Sequence, residues 1–360
     1  MEYQLELIDV GKKYKDFLAV DGVNLQIKKG EIVSFLGASG CGKTTTLRMI
    51  AGLIEPTKGT IKIEGKTMNG IPPYKRDISM VFQNYALFPH LTVYENIVYG
   101  LKTRKIKDKK ILMEKAREMM DLVQLHGVEN RLPKELSGGQ QQRVSLARAM
   151  IVEPKVMLFD EPLSNLDAKL REKTRVEIRN LLKRMNVTAI YVTHDQEEAL
   201  TISDRIAVMN KGIIEQITEP MELYKAPATR FIADFVGHAN LFEGKITAKQ
   251  GDMVEFTSHT GKKLKIQVKE EALQRGDEAA FIIRPENVEI SGNPIQKPAN
   301  VFKGKVTAKI FMGSTMRLLI DLGEKKELEA DLHAKEIFEC EPGQDIYVYL
   351  PENELVLVRA

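Results

Sequence analysis

Over the first ~235 residues, short apolar runs rich in β-branched residues alternate with longer amphipathic stretches, the pattern of strands separated by helices around a largely parallel sheet. Candidate strands are Ile32–Leu36, Ser79–Phe82, Val156–Phe159 and Ala189–Thr193. Between the second and third lies a helix-rich block, from about Leu91 to Ile151, lysine-rich and strongly helical around Lys109–Leu125. It predicts a helical insertion or subdomain. From about Asn240 short strand-like runs take over, separated by Gly, Asp, Asn and Pro turns, with helical candidates only near Leu332–Phe338. A second, mostly β domain is expected there. Within it, Leu241–Lys249 and Val301–Lys309 agree in register at Phe, Gly, Lys, Thr, Ala and Lys. This is either a degenerate repeat of two related β-modules or shared strand-turn vocabulary.

The chain's 360 residues suggest two or three domains, and 43% hydrophobic against 29% charged residues is the balance of a globular protein with a sizeable core. Lys plus Arg number 53 against 50 for Asp plus Glu. That small excess does not announce a nucleic-acid binder. The basic run Lys102–Lys110 could touch anionic lipid or nucleic acid, but without interleaved aromatics it reads first as a solvated loop and helix start. No stretch approaches the ~18–20 consecutive apolar residues of a membrane span, and the opening MEYQLELIDV is not a leader pattern. The two cysteines, Cys41 and Cys340, define no disulfide framework or thiolate metal site. A reducing cytoplasm is expected.

The strongest chemical signal is Gly37-Ala38-Ser39-Gly40-Cys41-Gly42-Lys43-Thr44, a complete G-x-x-x-x-G-K-T between an apolar strand and a helix containing Leu47, Ile50 and Ala51. Such a loop curls its N–H groups around phosphates, a lysine reaches the β- and γ-phosphates, and the threonine hydroxyl joins a Mg²⁺ shell. Val156–Phe159 ends in Asp160 and Glu161. Alone, a strand followed by two acids is an ordinary solvated turn. Beside a phosphate loop, Asp160 at the sheet's carboxyl edge suits the Mg²⁺ shell, and Glu161 suits orienting or deprotonating a water. Leu136-Ser137-Gly138-Gly139-Gln140 opens a further helix, with Ser137 as N-cap and unshielded N–H groups that suit either simple capping or a phosphate.

With Ser164-Asn165-Leu166-Asp167 and His194 after Ala189–Thr193, this set resembles, over about Tyr3–Gly237, the nucleotide-binding subunit of an ATP-binding cassette (ABC) transporter. The resemblance implies an α/β P-loop ATPase cassette with a parallel-sheet core over residues 1–237, a helical subdomain at about 84–153, and a mostly β, OB-like regulatory domain over 238–360. It implies ATP and Mg²⁺ as cofactors. Gly37, Ala38, Ser39, Gly40, Cys41, Gly42, Lys43, Thr44 and Thr45 would wrap the phosphates, and Tyr14 would stack on adenine. Thr44, Gln83 and Asp160 would serve the metal, the last through its outer shell. Glu161, His194 and Gln83 would arrange the attacking water. Ser137, Gly138, Gly139 and Gln140 would touch the γ-phosphate held by a second copy, which implies a homodimer, with Asp167 at the subunit interface. Asn84–Pro89 resembles the apolar groove that receives a coupling helix, although core packing suits Leu87 and Phe88 equally.

Phe281-Ile282-Ile283-Arg284-Pro285-Glu286 is similar to the G-x-R-P-E strand of the OB-like domain appended to importers of the maltose, polyamine, ferric-iron and sulfate groups, with Ile283 a minor departure. The junction Phe231–Leu241 looks more like that of polyamine, ferric-iron and aminophosphonate relatives than that of the sugar group. The resemblance therefore implies an importer ATPase for a small charged solute, at the cytoplasmic face of the membrane. Transmembrane permease subunits, an extracytoplasmic solute-binding protein and no nucleic acid would be its partners. A maltose-type sugar importer is the alternative, ahead of a soluble ABC ATPase acting on nucleic acid or the ribosome, which would carry tandem cassettes or a long heptad insertion.

Overall fold

The computed structural model describes residues 3–268, 273–333 and 341–359, and the chain splits into two compact units, the first ending at Leu223 and the second beginning at Tyr224. The centre of the first unit is a six-stranded sheet in spatial order Ile213–Thr218, Arg205–Asn210, Ile32–Leu36, Ala189–Thr193, Val156–Asp160, Ile78–Val81. Only the first pair is antiparallel. The expected Ser79–Phe82 strand lies one residue earlier, at Ile78–Val81, which leaves Phe82 outside the sheet.

A parallel sheet is covered on both faces, so its strands read as continuous apolar runs, and the period-2 alternation decides which core each side chain joins. Met157, Phe159, Ala189 and Tyr191 face the helices Val93–Thr103, Lys109–Leu122, Gly138–Met150 and Ala168–Arg184. Val33, Phe35, Val156, Leu158, Ile190 and Val192 face the helix Lys43–Ala51 and a second, antiparallel sheet. That sheet runs in the order Phe17–Ile27, Leu5–Tyr14, Lys58–Ile63, Lys66–Thr67. The helical block is punctuated as its sequence dictates. Thr92 and Glu95 form a capping box, Asp108 caps the next helix, and that helix stops at Leu122 rather than Leu125 as Gln124 turns to φ 56°.

The second unit contains two five-stranded antiparallel sheets sharing one core that includes Phe256, Phe281, Leu318 and Val348. The repeat is structural. Asn240–Gln250 and Val301–Phe311 are the central strands of their sheets, and each bulges at the same place, between Ile246 and Ala248 and between Val306 and Ala308. At the bulge Thr247 Oγ1 donates to the carbonyl of Glu255 and Thr307 Oγ1 to that of Leu319, both at 3.1 Å. Of the helical candidate at 332–338, Leu332 and His333 belong to the strand Leu328–His333, and the remainder lies outside the described residues.

Arg284 gives the Arg-Pro-Glu segment its role. It is buried, lies 4.3 Å from the Tyr224 ring centroid, and donates to the carbonyls of Tyr224 (3.0 Å), Ala233 (2.9 Å) and His238 (2.8 Å). One guanidinium thereby ties the short helix Arg230–Phe235 to the β core, so the second unit starts earlier than the 237/238 boundary expected from sequence.

Candidate functional site

In-register pairing of parallel strands sets their carboxyl ends side by side. Leu36 pairs with Thr193 and Asp160 with Val192, so the loop 37–42, His194 and Glu161 all emerge at one edge of the sheet. Ligands collect at this edge in open α/β sheets.

The loop leads into the helix Lys43–Ala51, whose N-cap Gly42 has φ 108° and makes no side-chain capping bond. Its first-turn N–H groups stay available to an anion, helped by the positive end of the helix dipole. A Cβ at residue 42 would sit 2.8 Å from the Ala19 carbonyl, so only glycine lets the loop pack against the strand Phe17–Ile27. Lys43 is 5% exposed and folds its ammonium inward, donating to the carbonyls of Gly37 (2.6 Å) and Ala38 (2.9 Å), with Cys41 Sγ at 3.8 Å. The positive charge thus sits inside the ring that the glycines open.

Thr44 Oγ1 donates to Asp160 Oδ1 at 3.2 Å, joining two residues 116 positions apart. Burial pushes the Asp160 carboxyl above its usual range, with the Thr44 hydroxyl pulling it back. A desolvated carboxylate beside a hydroxyl is a hard-oxygen pair, which fits Mg²⁺. Among the described residues no group of three His, Cys, Asp or Glu could hold a metal ion. Glu161, next along, has φ 48°, a left-handed conformation that costs a non-glycine residue about 1–2 kcal/mol and clusters at functional sites. Its N–H donates to the Val192 carbonyl at 3.0 Å, and its Oε2 lies 3.1 Å from His194 Nδ1.

Gln83 does not close a strand. It lies in the exposed turn after Val81, where its carbonyl accepts from Asn165 Nδ2 at 2.8 Å. Beyond Asn84, Tyr85 and Ala86 both have positive φ, 60° and 46°. Ser145 and Arg148 of the helix Gly138–Met150 hold their carbonyls at 2.7–2.9 Å. The run 84–89 is only partly an open surface: Tyr85 is buried and Leu87 packs on the helical core, while Phe88 is half-buried, 4.5 Å from the Tyr99 ring centroid.

Ser137 caps Gly138–Met150 in a reciprocal box with Gln140, and Asp167 caps Ala168–Arg184. Among the described residues no hydrogen bond joins the Ser137–Gln140 turn to the loop 37–44 of the same chain. Tyr14 stands exposed at the end of Leu5–Tyr14, with the Lys12 ammonium 5.1 Å from its ring centroid.

The model of the ABC transporter family matches residues 20–164, and that of the TOBE domain matches residues 281–358. The spermidine/putrescine import ATP-binding protein PotA of Rubrobacter xylanophilus is 43% identical over 348 residues, covering 96% of this chain and 90% of that protein. The protein of the same name from Clostridioides difficile is 41% identical, covering 96% of each chain. The chain belongs to the ABC transporter family. Solved relatives of this ABC ATPase include cbiO1 of Clostridium perfringens (TM-score 0.58, 27% identity, 62% of this chain and 91% of that one). The dimeric ATP-binding cassette MJ0796, in a post-hydrolysis state bound to ADP and Pi, has TM-score 0.54 and 34% identity, covering 60% of this chain and 98% of that one.

Two residues that support this candidate site carry no signal in the sequence. Glu198, 3% exposed, accepts from Thr193 Oγ1 (2.8 Å) and Tyr191 Oη (3.2 Å), and so fixes the strand end that carries His194. Burial pushes its carboxyl up, with nearby Asp195 adding to the shift and Thr193, Tyr191 and Arg171 opposing it. In sequence it is one acid of a helix's first turn. Arg76, 1% exposed, donates to the carbonyls of Met49, Ile50 and Ile71 and anchors the far end of the helix Lys43–Ala51. No local pattern distinguishes it from a surface arginine.

Proposed function

We propose that this ABC ATPase energises import of a polyamine. As a homodimer on the cytoplasmic face of a membrane, it would drive a transmembrane permease that receives solute from an extracytoplasmic binding protein. The observation that carries the ATP chemistry is the convergence of Lys43, Asp160, Glu161 and His194 at the carboxyl ends of three adjacent parallel strands. The names of the relatives, spermidine/putrescine import ATP-binding proteins, support the cargo.

In this reading Gly37–Thr45 cradle the phosphates, with the Lys43 ammonium exchanging its two loop carbonyls for phosphate oxygens. Thr44 and Asp160, in contact through a hydrogen bond, together with Gln83 would hold Mg²⁺, which when bound would neutralise phosphate charge. Glu161 accepts a proton from the attacking water, and His194, in contact with Glu161 Oε2, holds it in line and faces the γ-phosphate. Tyr14 stacks on the base. The unshielded start of Gly138–Met150, including Ser137 and Gln140, serves the nucleotide of the partner copy, and two sandwiched ATP molecules close the dimer until hydrolysis reopens it. The first unit, through Leu223, acts as the nucleotide-binding domain, and the second, from Tyr224 rather than residue 238, as a regulatory one.

The test is ATPase activity of the chain reconstituted with its permease in proteoliposomes. Stimulation by spermidine-loaded binding protein, lost in Lys43→Ala together with ATP affinity, is the expected result. Stimulation by a sugar-loaded or iron-loaded binding protein instead would overturn the cargo, and unchanged ATP affinity in Lys43→Ala would overturn the phosphate cradle.

A further inference from the structure

We propose that Phe17 is a second nucleobase-contacting aromatic, forming with Tyr14 a two-ring cleft that favours purine over pyrimidine nucleotides. The inference rests on the reading that Gly37–Thr45 hold the phosphates of ATP. Strands Leu5–Tyr14 and Phe17–Ile27 are joined through Lys15 and Asp16, and Tyr14 pairs directly with Phe17. Directly paired residues of an antiparallel ladder send their side chains to the same face, with Cβ atoms about 4.5–5.5 Å apart. Both rings are exposed, Tyr14 by 43% and Phe17 by 65%, so neither is committed to the core.

The position of the pair makes it more than an exposed aromatic. Ala19 and Val20, two and three residues along the strand from Phe17, pack against the loop 37–42: a Cβ on Gly42 would meet the Ala19 carbonyl at 2.8 Å and Val20 Cγ2 at 3.2 Å. The strand is held there by Asp21 N–H, which donates to the Gly212 carbonyl at 2.8 Å. From Ala19 to Phe17 the strand rises roughly 7 Å, placing the hairpin end beside the loop that receives the phosphates. A phenyl ring carries no hydrogen-bonding group, so it contributes stacking area and dispersion. It therefore rewards the larger purine and is indifferent to the base's polar edge.

The chain contains no tryptophan, so Phe17→Trp installs a single indole whose emission reports this position alone in the full-length protein. Titration with Mg-ATP is expected to change that emission saturably. Inorganic tripolyphosphate, which occupies the phosphate loop without a base, is expected to compete with ATP and leave the emission unchanged. Phe17→Ala is expected to raise the Kd for ATP at least about fivefold, the size of a lost base–aromatic stack, to leave tripolyphosphate competition intact, and to narrow the ratio of ATP to UTP affinity. Wild-type ATP affinity and ATP-to-UTP ratio in Phe17→Ala, with an indole that ignores ATP, would overturn the proposal. Wild-type ATP affinity in Lys43→Ala would instead overturn the underlying phosphate site, so the two failures are distinguishable.

Discussion

Truncation of Arg76 to alanine tests how the helix Lys43–Ala51 is anchored. The last carbonyls of Lys43–Ala51 have no partner one turn on, a deficit shared by every helix end. Gly52 and Leu53 N–H satisfy some of it, and the Arg76 guanidinium donates to Met49 (2.9 Å) and Ile50 (3.0 Å) carbonyls and reaches Ile71 at 2.7 Å. Three bonds from a charged donor are each worth about 1.5–3 kcal/mol, against a desolvation penalty of several kcal/mol for a guanidinium with Glu55 as far as 3.7 Å away. Alanine removes both terms but leaves three carbonyls in a vacated site, which water refills only in part. The net loss is expected to be about 3–5 kcal/mol. For a unit of this size that lowers the melting temperature by roughly 10 °C. The assay is circular dichroism melting with and without Mg-ATP, which marks the first unit's transition by its ligand-induced shift. A drop of less than ~3 °C in that transition would refute the anchoring role. Gly52→Ala should act in the same direction, because Gly52 has φ 75° and an added Cβ would meet Arg76 Nε at 2.4 Å.

Glu161→Gln should keep nucleotide affinity while lowering kcat by about 10²–10⁴, with ATP-dependent dimers accumulating on a sizing column. A monomer with wild-type turnover would contradict the base assignment. Glu198→Gln should fold and should flatten the pH dependence of stability in the weakly acidic range. The native Glu198 carboxyl holds its proton above its ordinary value of 4.5, so the unfolded chain releases that proton first. Its contribution is therefore complete below about pH 4.5 and is lost as pH rises through the elevated native value. Urea midpoints measured from pH 4 to 8 should show the variant gaining on wild type as pH rises, and parallel curves would remove the buried-carboxyl account. Arg284→Ala should destabilise the second unit by about 3 kcal/mol, since the Tyr224, Ala233 and His238 carbonyls lose their donor. Limited proteolysis should then cleave near 224–238 faster, and an unchanged rate would count against it.

The loop between Leu36 and Lys43 was legible in the sequence because its geometry is local: Gly37–Thr44 need only their own backbone, a strand before them and a helix after them. The same holds for Ser137 as a cap and for the parallel strands, whose apolar runs follow from burial on both faces. The bulged β-repeat was visible as Phe, Gly, Lys, Thr, Ala and Lys in register, because a bulge places fixed demands on the residues that form it. Tertiary structure alone brought Thr44 to Asp160 and Glu161 to His194, since strand order and register, not spacing along the chain, choose neighbours. It alone set Arg76 and Glu198 apart from surface charges, and it gave Arg284, marked in sequence only by its motif, a role. In sequence a charged residue reads as solvent-facing, and only packing reveals one whose desolvation is balanced by carbonyls or hydroxyls contributed from distant segments.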